Sequence, residues 1–169
     1  MSDSLNEAQE LIAAYRRDGD VGALDHAAGA LASAEPDPAA RGQVLDGWLA
    51  LIAAISRDLD PGFDPEDKPM VSVSPPAEDG MRAPPGVDPS VIRDPDKRHE
   101  YVQAIEANRL KAERFAVQNQ LLRISRNAVQ DAATFVRNAY PAEADVAELQ
   151  RAVAQAALPP EVSAQLLDR

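Results

Sequence analysis

Between Asp96 and Tyr140 the chain runs 45 residues without a glycine or a proline, and Asp94-Pro95 and Pro141 bracket that stretch. Glycine and proline are the residues that most readily end a helix, so a run this long without either predicts one continuous α-helix. At about 1.5 Å per residue it would be roughly 68 Å long. A compact chain of 169 residues has a radius of gyration of only about 15 to 16 Å, so the helix is expected to bend, break or protrude. Asp94 is placed to cap it, with Pro95 in the first position, where a missing amide costs nothing.

The register of this helix carries two apolar seams. One is Tyr101, Ile105, Ala112, Phe115, Leu122, Val129, Ala133, Val136 and Tyr140; the other is Leu110, Val117, Leu121, Ile124, Ala128, Ala132 and Phe135. Both advance in steps of three, four or seven. From Leu110 onwards the helix is therefore expected to pack between two partners, whereas its first third has a single, narrower seam.

Upstream, Ser4-Leu5-Asn6-Glu7 is a capping-box pattern that predicts a first helix through Leu5, Ala8, Leu11, Ile12 and Tyr15. Asp18-Gly19-Asp20 stops it and caps a second helix over 21–34, which Glu35-Pro36-Asp37-Pro38 ends. A third, over 38–59, buries Val44, Leu45, Trp48, Leu51, Ile52 and Ile55 along one stripe. Nine of the fourteen prolines then fall between Leu59 and Pro95, which excludes a helix there. Met70-Val71-Ser72-Val73-Ser74 is expected to form a short strand or lie extended over a helical face, with Met70, Val71, Val73, Met81 and Ile92 as anchors. Beyond Pro141, helices are expected over 142–157 and after Pro159-Pro160.

Thirty-two alanines and only seven aromatic residues favour closely packed helices. The expected fold is an all-α bundle of five to six helices with a long central helix and a proline-rich extended strap. Length predicts a single domain over 1–169: N-terminal helices over 1–58, the strap over 59–95, the long helix over 96–140 and closing helices over 142–168. Without cysteine there is no disulfide framework, thiolate metal site or cysteine nucleophile. No apolar stretch is long enough to span a membrane and the start lacks a secretory pattern, so the expected setting is the cytoplasm. A net charge of −11 argues against general affinity for nucleic-acid backbones.

Tyr15, Gly19-Asp20, Ala23-Leu24, Ala30-Leu31 and Pro36 resemble one tetratricopeptide-repeat hairpin over residues 5–36. The Ala-Leu pair arrives one residue early, the proline one late, and no second copy follows. The residues are therefore read as an ordinary antiparallel helix pair that shares the repeat's turn chemistry. Asp94-Pro95, Arg98, Tyr101, Ala104-Ile105, Asn108 and Lys111-Ala112-Glu113-Arg114 are similar to a pattern in uncharacterised bacterial proteins, which implies a bacterial source and assigns no chemistry.

Few residues suggest chemistry. Asp58, Asp60 and Asp64, with Glu66 and Asp67, form the strongest cation candidate, because hard cations take several carboxylate oxygens from one loop. They do not fit an EF-hand: counting from Asp58, Gly62 falls on a ligand position and Pro69 on the closing acid. His26 and His99 have no metal-binding spacing. No catalytic elbow, phosphate loop or cofactor motif is present, so no cofactor and no enzymatic role are expected.

Charge is more informative. Residues 96–140 hold eight basic and five acidic side chains, a net of +3, leaving −14 for the rest. Lys97, Arg98, Tyr101, Arg109, Arg114, Arg123 and Arg126 are the candidate partner-binding residues; the competing reading pairs these cations within the chain. Trp48, at core spacing, reads as packed inside. The expected function is a non-enzymatic protein-interaction module, an adaptor or an immunity-like inhibitor of a basic partner, with no nucleic-acid or membrane partner. Two alternatives are a homodimer formed through the seam from Tyr101 to Phe115 and an enzyme with an unrecognised carboxylate site.

Overall fold

The computed structural model describes residues 3–34 and 37–168. It is all-α, about 70% helical, with six α-helices and no strand among the described residues. These are α1 (Asp3–Asp18), α2 (Val21–Ala32), α3 (Arg41–Asp58), α4 (Pro95–Ala139), α5 (Val146–Gln155) and α6 (Pro160–Leu167). None of them is long and apolar enough to cross a membrane.

Local chemistry sets the ends. Gly19, at φ 73°, takes the left-handed conformation that closes α1, its amide donating to Tyr15 O at 2.8 Å. The Asp20 carboxylate then caps α2 by accepting from Gly22 N at 2.9 Å. Helix α1 begins at Asp3, so Ser4 lies inside its first turn and is not the expected cap. Helix α3 starts at Arg41, after a turn over 38–40 that the Asp37 carboxylate stabilises by accepting from Ala39 N. The expected breaker Glu35-Pro36 lies outside the described residues. Asp94 caps α4 as anticipated, accepting from Asp96 N at 2.9 Å, and the helix is unbroken to Ala139.

Where length predicts one domain, the chain groups into two compact units: a helical unit of residues up to Pro61 together with those from Gln120, and a strap unit of Gly62–Asn119. Helix α4 starts in the strap unit and ends in the helical one.

The helical unit has a continuous core of thirty buried apolar residues drawn from every helix, including Leu5, Leu24, Ile52, Ile124, Leu149 and Leu166. Gly47 in α3 permits the closest approach, because a Cβ there would sit 2.7 Å from Leu31 Cδ2. From Leu121 onwards buried residues fall on both seams of α4, later than the expected Leu110, and upstream of it only Tyr101 is buried. Leu110 and Val117 are exposed. Arg41 ties the end of α4 to α3: it donates to Ala139 O at 3.0 Å, to Asp145 at 2.9 Å and to Glu148 at 3.0 Å, and it stacks 4.3 Å over the Tyr140 ring. A guanidinium suits this place because its fork can reach helix-terminal carbonyls and carboxylates together.

The strap unit has a small buried cluster of Val73, Ile92 and Tyr101, with Val87 and Ile105 packed against it, and Pro75 is also buried. Met70–Ser74 forms no strand, and the lone bridge pairs Glu78 with Met81. Val73 and Ile92 anchor as expected. Met70, Val71 and Met81 do not: all three are exposed, Val71 fully. Regular extended chain would put Val71 and Val73 on the same side, so the bend over 71–72 is what leaves Val71 in solvent while Val73 is buried.

Candidate interaction surface

The strap is held by side chains that α4 presents in steps of four, three and seven: Tyr101, Ile105, Asn108 and Phe115. Such spacing keeps residues on one helical face. The Tyr101 hydroxyl donates to Val87 O at 2.9 Å and lies 3.4 Å from Val73 O. Asn108 grips the Met70 backbone twice, Nδ2 donating to the carbonyl at 2.8 Å and Oδ1 accepting from the amide at 3.2 Å. Lys111 pairs with Asp67 at 3.1 Å, and the Phe115 ring packs on Phe63 with centroids 5.4 Å apart. Positions on the strap fall as those on α4 rise, so the two run antiparallel.

The first turn of α4 holds the other end. Lys97 Nζ donates to Ala77 O at 2.8 Å, and Arg98 donates to Ile92 O from Nε at 2.9 Å and Nη2 at 2.6 Å. The Glu78 carboxylate accepts from Asp94 N at 2.8 Å and Arg93 N at 3.2 Å, and these bonds, that to Asp94 foremost, hold its pKa below the ordinary carboxylate range. Asp88 is lowered likewise by the Ser90 amide it caps. At Gly86, φ 78°, the backbone turns so that its amide reaches Val73 O at 3.0 Å.

The seven residues expected to meet a partner are thus used unevenly. Lys97, Arg98 and Tyr101 hold the strap. Arg109 is exposed and ion-paired with Glu106, through Nε at 3.0 Å, and with Glu113; these carboxylates raise its pKa, and Arg109 lowers that of Glu106. Arg114 is exposed and engaged within the chain. Arg123 lies 3.6 Å from Asp25, and exposed Arg126 has no partner among the described residues. The reading in which these cations meet acids of the same chain therefore describes Arg109 and Arg123.

The acidic candidates are engaged separately. Asp58 accepts from the Tyr15 hydroxyl at 2.5 Å and pairs with Arg57, Asp60 belongs with it to the helical unit, and Asp64, in the strap unit, caps its own turn at Glu66 N. No group of three or more His, Asp or Glu residues suited to a metal exists among the described residues. His26 and His99 are exposed. Trp48 is buried, as its spacing predicts.

Exposed apolar surface is distributed one-sidedly. The large apolar side chains left exposed among the described residues all belong to the strap unit: Met70, Val71, Met81 and Val91 before α4, and Val102, Leu110 and Val117 on it. At about 100° per residue, the three on α4 fall within roughly 80° of one another and about 145° from the strap-facing seam. They mark a second face of the same helix. Asn108 and Glu78, the residues that fix the strap, escape sequence reasoning because their partners are backbone atoms 38 and 16 positions away. The chain matches no protein-family model, no curated protein and no solved structure.

Proposed function

We propose that the chain is a protein-interaction module and that the strap unit supplies its contact surface. One observation carries this reading: the exposed large apolar side chains gather in the strap unit while the helical unit encloses its own. Contiguous exposed apolar surface on a small protein marks a site of association, whereas scattered single residues do not. Met70 and Val71 are adjacent, and Val102, Leu110 and Val117 share a stripe on which the exposed Glu106 and Glu113 alternate with them.

The reading shifts the contact from charge to apolar area. Lys97, Arg98, Arg109 and Lys111 are engaged within the chain, so a basic stripe is a weaker basis for attraction than the sequence suggests. Self-association through Tyr101 to Phe115 is likewise disfavoured, since the strap occupies that seam. An adaptor or inhibitor role fits a rigid apolar surface framed by ion pairs.

The test is affinity capture from bacterial lysate with the native chain, Leu110→Asp and Val71→Asp, each checked for an unchanged melting temperature. Both substitutions should abolish capture of the partner that the native chain retains, and capture should survive 0.5 M salt, about five times the ionic strength at which the Debye length is 10 Å. Loss in salt with no effect of either substitution would restore the electrostatic reading.

A further inference from the structure

Within the helical unit, a pocket of about 300 Å³ opens between the end of α2 and the last turns of α4. Its floor and walls are apolar: Trp48 below, Leu31 on one side, Phe135 and Ala139 on the other. Trp48 and Leu31 are almost fully buried, and the indole N–H has no acceptor among the described residues, so no hydrogen bond fixes the floor. The volume lies at the small end of the range for ligand sites.

The mouth is polar and carries one sign of charge. Asp131, Thr134 and Asn138 line it, all exposed. The Thr134 hydroxyl is already committed, donating to Gln130 O at 3.0 Å and accepting from Arg137 at 3.3 Å. Asp131 and Asn138 have no partner among the described residues. Among the described residues no cation lines the pocket, and Arg137 reaches Thr134 from outside the lining. The helical unit as a whole has seventeen acidic and nine basic side chains, so its field attracts positive charge.

We infer that this pocket binds a small amphipathic amine, its apolar body on Trp48, Leu31 and Phe135 and its ammonium at the Asp131 carboxylate. This site is separate from the surface proposed above and stands or falls independently of it. A primary ammonium offers three donors, and an ionised carboxylate such as Asp131 accepts only. A carboxylate ligand of the same shape would face Asp131 with like charge.

Because Trp48 is the only tryptophan, its fluorescence and its indole N–H resonance report directly on the floor. The full chain would be titrated at pH 7 with phenethylamine, 2-phenylethanol and 3-phenylpropionate. Saturable perturbation of Trp48 by the amine is expected, with affinity about threefold to fivefold above the alcohol, as an exposed ion pair allows, and no response to the acid. Asp131→Asn should reduce the amine to the level of the alcohol. Ala32→Leu, an exposed position at the wall, should weaken both. Equal responses to all three probes, no response, or an amine preference that survives Asp131→Asn would overturn the assignment. Tighter binding of N-acetyl-phenylalanyl-lysine amide than of the free amine would overturn a small molecule in favour of a partner's side chain.

Discussion

The helical unit and the strap unit are held together by different physics. The first buries thirty apolar side chains in one contiguous core; the second has a buried cluster of three and relies on directed bonds from α4 side chains to strap carbonyls and amides. Apolar burial is additive over area and indifferent to direction. A hydrogen bond is local, and its loss strands a specific partner. Core substitutions should therefore be felt throughout the helical unit, whereas strap substitutions should release one segment.

The largest contrast is expected from truncating one buried side chain in each unit. Ile52, fully buried in α3, becomes a cavity in Ile52→Ala, and urea denaturation should register a loss of about 2 to 5 kcal/mol. Val73→Ala, in the three-residue cluster, should register clearly less, because fewer neighbours surround it. Equal losses would mean that the strap unit is held by apolar packing after all. Tyr101→Phe comes next: removing the hydroxyl leaves Val87 O without its donor and should cost about 1 kcal/mol. Amide exchange should accelerate at Gly86 and around the strap while the protection of α3 stays unchanged.

The same contrast explains what could be read in advance. The ends of α4 were legible because Asp94, Pro95 and Pro141 act on neighbouring backbone groups. The all-α class followed from alanine content and spacing. Coverage was not legible: Leu110 and Val117 continue an apolar seam, yet periodicity cannot say whether a partner lies across from it. Apolar character also misassigned the strap's anchors, since Met70 is held by its backbone on Asn108 while its side chain faces solvent. Arg41 has Asp37 four residues before it as the obvious partner, but it bonds instead to residues 98 and 104 positions on, at a distance no local pattern encodes. The pocket over Trp48 likewise exists only because α2, α3 and α4 converge.

Titration should separate the units in opposite directions. Burial, then the hydrogen bond to Asp58, pushes the Tyr15 hydroxyl up to about 12, so the neutral phenol is favoured on folding. Its contribution is complete below the ordinary value of 10.0 and disappears as pH rises through about 12. Tyr15→Phe should flatten the alkaline limb of a stability-against-pH curve. Glu78 and Asp88 have pKa values lowered by backbone amides, so their contributions are present above the ordinary carboxylate range and are lost as pH falls through their folded values. Limited proteolysis below pH 4 should therefore cut within 75–92 before it cuts the helices, and Glu78→Gln should bring that cleavage to neutral pH. Simultaneous loss of both units in acid would contradict their separate means of support.

The smallest effect is expected where ion pairing looks densest. Arg109 bonds to both Glu106 and Glu113, yet all three side chains are about half exposed and lie one turn apart on a helix that forms without them. Exposed pairs lose in side-chain entropy and screening most of what they gain in attraction. Arg109→Ala should leave the melting temperature unchanged within error in 0.15 M salt. It would, however, leave two glutamates beside Leu110 without their shared cation, turning the apolar face of α4 more acidic. Capture of a partner by that face should then change while stability does not, which separates a contact residue from a structural one. A fall in melting temperature as large as that of Tyr101→Phe would instead show that the strap unit depends on its surface charges as much as on its backbone clasps.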